Sequence, residues 1–233
     1  MMIYKLRNQH QGKRCFILGS GPSIASQNLT LLVNEITMCS NWFINHNDFQ
    51  QLNINYYCAY DDAFVSPEIN KSWKSRLEET KILKFFPENW RKYSLGENIF
   101  YLPYDHTVKV YRDKKFSYQV DVAVYDAGSV ILNFCLPLAF YMGFSEIFLL
   151  GVETDYGISI TGDPNQGYFY PPSQQKTTNT HTLESQNAWI KNLLDAYQLV
   201  SEYAEAKNIK IVNCTPGGNL EVFERQPLEH VLA

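Results

Sequence analysis

The feature that most narrows the possible folds is a short apolar run closing on glycines, "RCFILGSGPSIASQN" at residues 14–28. An apolar stretch of strand length without alternation belongs to a strand buried on both faces, as in a parallel sheet covered by helices. Similar runs recur at "EITMCSN" (35–41), "INYYCAYD" (54–61), "SEIFLLG" (145–151) and "IKIVNCT" (209–215), each closing on polar residues or glycine. Between the first three lie "PSIASQNLTLLVN" (22–34) and "WFINHNDFQQL" (42–52), which read as short helices, with Pro22 suited to the first helical position. Strand alternating with helix predicts an α/β, Rossmann-like doubly wound, mostly parallel sheet.

Length and composition agree with one large domain over 1–233: 45% of residues are hydrophobic and 19% charged. No apolar run approaches the roughly 18 residues that would span a bilayer. The first residues, "MMIYKLRNQHQGKRC", lack the apolar stretch of a secretory signal, so a cytoplasmic protein is expected, with peripheral membrane association left open. Cys15, Cys39, Cys58, Cys135 and Cys214 form no C-x-x-C pair and read as buried free thiols. A net charge of -4 argues against a dedicated nucleic-acid binder. Sixteen Tyr and fourteen Phe furnish either a stacking surface or, more simply, the core.

The middle is less regular. "PEINKSWKSRLEETK" (67–81) reads as helix, "KILKFF" (81–86) and "NIFYLP" (98–103) as strands, and the mixed stretch 104–128 as an excursion or hairpin; 64–125 as a whole is taken as an insertion. "SVILNFCLPLAFYM" (129–142) is apolar all round and predicts a buried helix, kinked at Pro137 and capped by Gly143. Residues 152–182 form a long polar-aromatic segment expected to be an active-site loop. The following segment, 183–208, has helical spacing, with Trp189, Leu193, Tyr197, Val200 and Ala204 on one face.

In an open parallel sheet, ligands bind beyond the carboxyl ends of the strands. That rule selects Gly19, Ser20, Gly21, Pro22 and Ser23 after the first strand; Ser40 and Asn41 after the second; Asp61 and Asp62 after the third; Gly151, Glu153 and Asp155; and Thr215, Pro216, Gly217 and Gly218 after the last. The glycine turn is not a P-loop, because no Gly-Lys-Ser/Thr follows Gly21, and Ile24 stands where a dinucleotide fingerprint has its third glycine. It reads as a phosphate turn or as a plain strand-to-helix corner. Asn41 reads as a ligand contact or a helix cap, "TPGG" as a ligand loop or a turn, and Asp61 with Asp62 as a magnesium pair or as solvated carboxylates. Among five histidines, His181 alone stands between the long polar segment and the late helix, where it reads as a structural histidine or as an imidazole that accepts a proton from an attacking hydroxyl.

Taken in order, "GSGPSI", "TMCSNWF", "YDAGSVILNFCLPLAFYMGFSEIFLLGVETDY", the His181 region and "VNCTPGGNLEVFERQPLEHVL" resemble the 6-hydroxymethylpterin diphosphokinase MptE-like family, particularly members linked to lipopolysaccharide or other surface-polysaccharide biosynthesis. The same order more distantly resembles bacterial CMP-sialic-acid-dependent sialyltransferases, with their G-N-G-P-S turn, C-N-x-F strand end and histidine before a late helix. This second resemblance implies that residues 19–23 and Asn41 hold the cytidine monophosphate portion of a nucleotide-sugar donor, with Asp61 beside it. It further implies His181 as the base that deprotonates a glycan acceptor, Tyr156 with Tyr168 or Tyr170 as donors to the leaving phosphate, and no obligatory metal. Ser20 and Asp61 each replace an asparagine of that pattern. The diphosphokinase resemblance implies instead ATP and Mg2+, the ion falling to Asp61 and Asp62. A non-catalytic nucleotide- or glycan-binding module is a third reading.

Overall fold

The computed structural model describes residues 2–65, 67–155, 168–170 and 183–232. Ten strands are described: β1 (Arg14–Leu18), β2 (Thr37–Ser40), β3 (Tyr56–Cys58), β4 (Leu83–Pro87), β5 (Ile99–Leu102), β6 (Tyr104–Lys109), β7 (Val124–Asp126), β8 (Glu146–Leu150), β9 (Lys210–Asn213) and β10 (Glu224–Arg225). Eight of them form one sheet in the order β10-β9-β8-β1-β2-β3-β4-β5, and every pairing in it is parallel. The expected doubly wound architecture is therefore present. Strands β4 and β5, from within 64–125, extend this sheet at one edge.

Each strand of the centre sends alternate side chains to opposite faces. Cys15 and Ile17 of β1 join one apolar layer and Phe16 and Leu18 the other, all fully buried. This is why the apolar runs show no alternation. The first layer is covered by the apolar helix after β7 and by α4 (Leu183–Ala206), which buries Leu193, Tyr197, Val200 and Ala204. The second is covered by single-turn helices and by α1 (Pro67–Glu78), whose Trp73 packs against Phe64, Phe86 and Trp90. All five cysteines are buried and free.

The apolar helix consists of a π turn, Ile131–Cys135, running without a break into α3 (Leu136–Tyr141). Pro137 lacks an amide hydrogen, and the wider turn ahead of it absorbs the missing bond, so a π turn stands where the sequence predicts a simple kink. Gly143 ends the helix at φ +84°, as expected, and the carbonyls of Tyr141 and Met142 accept the N–H groups of Asn8 and His10.

Three local expectations differ from what is observed. The segment 22–34 forms two short 3-10 turns, Pro22–Ser26 and Leu29–Leu32, rather than an α-helix, and 42–52 is likewise a 3-10 turn followed by irregular chain. Ser, Asn and Thr in these stretches give the backbone local hydrogen-bonding alternatives that shorten helices. The mixed stretch forms β6, the one-turn α2 (Val110–Asp113) and β7, and β6 pairs with β7 in parallel rather than as a hairpin. A short terminal strand, β10, and α5 (Leu228–Leu232) complete the chain.

Candidate active site

From β1 the chain winds outward through β2 to β5 and returns to β8 on the other side of β1. The winding direction thus reverses between β1 and β8, and the region beyond the strand ends at that switch point is the natural ligand site of such a sheet. It holds a cavity of about 180 Å³ lined by Gly19, Ser20, Gly21, Ser40, Asn41, Asp61, Gly151 and Glu153 from the strand ends, with Tyr168. The start of the apolar helix, Gly128 to Ile131, and Trp189, Leu193 and Tyr197 of α4 close the opposite side.

The glycine turn has a steric cause. Gly19 and Gly21 donate their N–H groups to Leu150 O (2.8 Å) and Gly151 O (2.9 Å), which draws the β1 and β8 loops together. A Cβ on Gly19 would stand 2.3 Å from Gly151 O, and one on Gly21 would stand 1.5 Å from Glu153 Oε2. The Glu153 carboxylate lies within the turn, and its Oε1 accepts the Ser23 N–H at 2.7 Å. Only 3% of Glu153 is exposed; burial pushes its pKa up, and the Ser23 hydrogen bonds oppose this in part.

The "TPGG" turn braces Glu153 from behind. Gly218, at φ +80°, lets the chain pass where a Cβ would be 2.4 Å from Glu153 O, and Asn219 N–H donates to that oxygen at 2.7 Å. Thr215 Oγ1 accepts the Val152 N–H at 3.0 Å, and Arg225 donates to the carbonyls of Thr215 and Gly217. Among the described residues, Pro22, Ser23, Thr215, Pro216 and Gly217 are not on the cavity wall; they support it.

The wall formed by Asn41 is built differently. Asn41 adopts φ +46°, a left-handed conformation that asparagine tolerates better than most residues. It is held there by a buried relay in which Trp73 Nε1 donates to Tyr57 Oη (2.8 Å) and Tyr57 Oη donates to Asn41 O (2.7 Å). Burial pushes the Tyr57 hydroxyl pKa well up, so it stays a donor. Asn41 does not cap the turn that follows: Ser40 holds the cap position, and no side-chain cap bond forms. Among the described residues Asn41 Oδ1 has no hydrogen-bond partner.

Across the cavity, Gly128 (φ +85°) donates to Asp126 Oδ1 at 2.9 Å, and Ser129 Oγ accepts the Leu132 N–H at 3.3 Å. These bonds fix the start of the helix that runs through Ile131–Cys135, so its electropositive end borders the cavity. A Cβ at Gly128 would lie 2.7 Å from Trp189 Nε1, so the glycine admits the indole.

Asp61 and Asp62 part company. Asp61 lines the cavity, whereas Asp62 accepts a hydrogen bond from Trp90 Nε1 at 2.8 Å. Among the described residues no group of three or more His, Cys, Asp or Glu side chains is placed to hold a metal, and no lysine or arginine lines the cavity. A magnesium ion would therefore find a single carboxylate of the proposed pair facing the site, a poor fit. Tyr168 stacks on Tyr170 (ring centroids 5.0 Å), and its hydroxyl is pushed up to about 12 by burial and then by Asp61. Phe169 N–H donates to Ser20 O at 3.1 Å and clips this aromatic segment to the glycine turn. Asp155 is buried near Glu153, whose pKa it helps to raise. Tyr156 and His181 lie outside the described residues.

Tyr60, Gly128, Ser129, Val130, Ile131, Thr154, Trp189, Leu193 and Tyr197 line the cavity without having been singled out as site residues. The signal for two of them was present: Gly-Ser directly ahead of a buried helix is itself a strand-to-helix corner, read above only as the helix start.

No protein-family model matches this sequence, and no curated protein matches it either. Solved structures share the fold. The MAf glycosyltransferase from Magnetospirillum magneticum AMB-1 superposes with a TM-score of 0.57 at 14% identity, over 97% of this chain and 37% of that one. The chain thus spans little more than a third of that protein. The sialyltransferase CstII from Campylobacter jejuni, in complex with the substrate analogue cytidine-5'-monophosphate, gives 0.54 at 15% identity, over 92% of this chain and 85% of that one. The same sialyltransferase with a trisaccharide acceptor and CMP gives 0.52 at 15% identity, over 91% and 85%. The chain has the α/β Rossmann-like fold of these glycosyltransferases.

Proposed function

We propose that this chain is a glycosyltransferase that takes a sugar from a nucleotide-activated, CMP-sugar-like donor and passes it to a glycan acceptor in lipopolysaccharide or surface-glycan assembly. The observation that carries the reading is the furnishing of the cavity. Asn41, Ser20 and the electropositive start of a helix face it, with two carboxylates and no cationic side chain among the described lining residues. Neutral donors and a helix start can hold one phosphate. A diphosphate or triphosphate carries charge that lysine, arginine or magnesium normally offsets, and that argues for a donor with a single phosphate.

In this reading Asn41 and the Gly128–Ser129 corner hold the nucleotide, and the aromatic side chains of α4 and Tyr168 shape the sugar pocket. His181, two residues ahead of α4, takes the proton from the acceptor hydroxyl; the new bond to the sugar forms as the sugar–phosphate bond breaks, with inversion. Tyr168, protonated at neutral pH, and Tyr156 donate to the departing phosphate. The MptE-like diphosphokinase reading asks for Asp61 and Asp62 to converge on magnesium, and the Asp62 bond to Trp90 speaks against it. The protein works in the cytoplasm, with peripheral attachment to the membrane where its acceptor requires it; among the described residues no helix is long and apolar enough to cross a membrane.

The test is a thermal-shift and calorimetric panel of CMP, CDP, UDP and ATP, with and without magnesium, followed by turnover of CMP-sugars by the wild type and His181→Ala. CMP is expected to stabilise the protein without magnesium, and His181→Ala to retain CMP binding while turnover falls by roughly 10²–10⁴-fold. Stabilisation by ATP with magnesium alone would point to pyrophosphoryl transfer. Undiminished turnover in His181→Ala removes the histidine from the mechanism, and CMP binding without any transfer leaves a binding module.

A further inference from the structure

In Rossmann-like sheets the glycine turn after the first strand is where a ligand phosphate ordinarily meets backbone N–H groups. In this chain that seat already holds the Glu153 carboxyl group. The N–H groups of Gly19, Gly21, Ser23 and Ile24 all donate within the protein, the third of them to Glu153 Oε1 at 2.7 Å. The carboxylate sits so close over Gly21 that no side chain fits between them. Its backbone is held by the Asn219 N–H and by the close approach of Gly218, and the residue is 3% exposed. Meanwhile Asn41 and the Gly128–Ser129 corner border the cavity from the other sides.

We propose that Glu153 determines donor class: its carboxylate fills the phosphate seat of the glycine turn, so the cavity accepts a nucleotide with one phosphate and rejects nucleoside diphosphates. This rests on the nucleotide-binding reading above and adds a reason for its monophosphate preference. A second phosphate directed toward the turn meets a fixed negative charge and no free N–H of Gly19, Gly21 or Ser23, a double penalty of repulsion and lost hydrogen bonds. The first phosphate is left to the Asn41 and Ser129 side.

Two variants separate the contributions. Glu153→Gln keeps the size and the acceptor for Ser23 N–H but removes the charge; Glu153→Ala empties the seat. Calorimetry with CMP and CDP, and melting curves with inorganic pyrophosphate, are compared with the wild type. The wild type is expected to prefer CMP to CDP by at least about tenfold and to ignore millimolar pyrophosphate. Glu153→Gln should reduce that preference by about tenfold, and Glu153→Ala should be destabilised and then regain several degrees of melting temperature with pyrophosphate. If the wild type binds CMP and Glu153→Gln keeps the full preference while neither variant responds to pyrophosphate, the proposal is overturned and the nucleotide reading stands. If the wild type binds no nucleotide but Glu153→Ala is rescued by pyrophosphate, the filled seat stands and the nucleotide reading falls. If the wild type binds no nucleotide and pyrophosphate rescues neither variant, both fall.

Discussion

The two walls of the cavity are made of similar residue types and do opposite things. The glycine wall, between β1 and β8, is closed: its glycines exist because two loops cross within contact distance, and its amides donate to Leu150, Gly151 and Glu153. The Asn41 wall is open, with a residue held in a left-handed conformation by a buried relay and an amide oxygen without a partner among the described residues. A glycine-rich turn at the first strand end is therefore architecture in this chain, while the wall with the less conspicuous sequence is the one left open.

The largest effect should come from the closed wall. Gly19→Ala drives a methyl group into a backbone carbonyl that cannot move, and a loss of about 3 kcal/mol or more, or failure to fold, is expected in urea unfolding. Gly21→Ala meets only a side-chain end, so it should cost less, and Glu153→Ala added to it should restore part of the loss. An additive double mutant would break the assignment of the clash to Glu153. Next in size, Tyr57→Phe strips Asn41 O of its donor and Trp73 of its acceptor, with about 1–3 kcal/mol lost. Asn41→Gly should leave stability unchanged or slightly raised, since glycine suits φ +46°, yet weaken CMP binding roughly tenfold. Equal loss of stability and affinity in that variant would erase the contrast between the walls.

The smallest effect is a pH dependence. Burial holds the folded-state pKa of Glu153 above its unfolded value of about 4.5, so the folded state binds its proton more tightly. Its contribution to stability is full below about pH 4.5 and is lost as pH rises through the folded value. Relative to Glu153→Gln, the wild type should gain stability on acidification through that window, measured as the difference between two urea midpoints. A difference independent of pH would mean that the carboxylate is not desolvated.

Much of the fold could be read from the chain because parallel strands buried on both faces leave unbroken apolar runs, and β1, β2, β3, β8 and β9 each sit within such a run. The helix at 183–206 carried enough turns for its spacing to be plain. The two-residue β10 was too short to leave a pattern, and the parallel pairing of β6 with β7 depends on chain reversal through α2, which periodicity does not report. The site was legible as a set of strand ends. Its internal division was not, because the contact that closes the glycine wall joins Ser23 to Glu153, 130 residues apart, and either residue alone reads as a ligand contact. Asp61 and Asp62 were adjacent in sequence, and only the position of Trp90 showed that they face different ways.

The π turn at Ile131–Cys135 has a bearing on how this cavity can change over evolutionary time. A π turn houses one residue more than the α-helical path, and each residue in a helix advances the direction of its neighbours by about 100°. Pro137 and the packed α3 anchor the downstream half, so the aim of Gly128 and Ser129 depends on the number of residues between them and that anchor. Losing a single residue from the π turn would leave the sheet and its packing in place while rotating the helix start away from the cavity. Insertion and deletion, rather than substitution, are thus the genetic events to which this cavity wall is most sensitive.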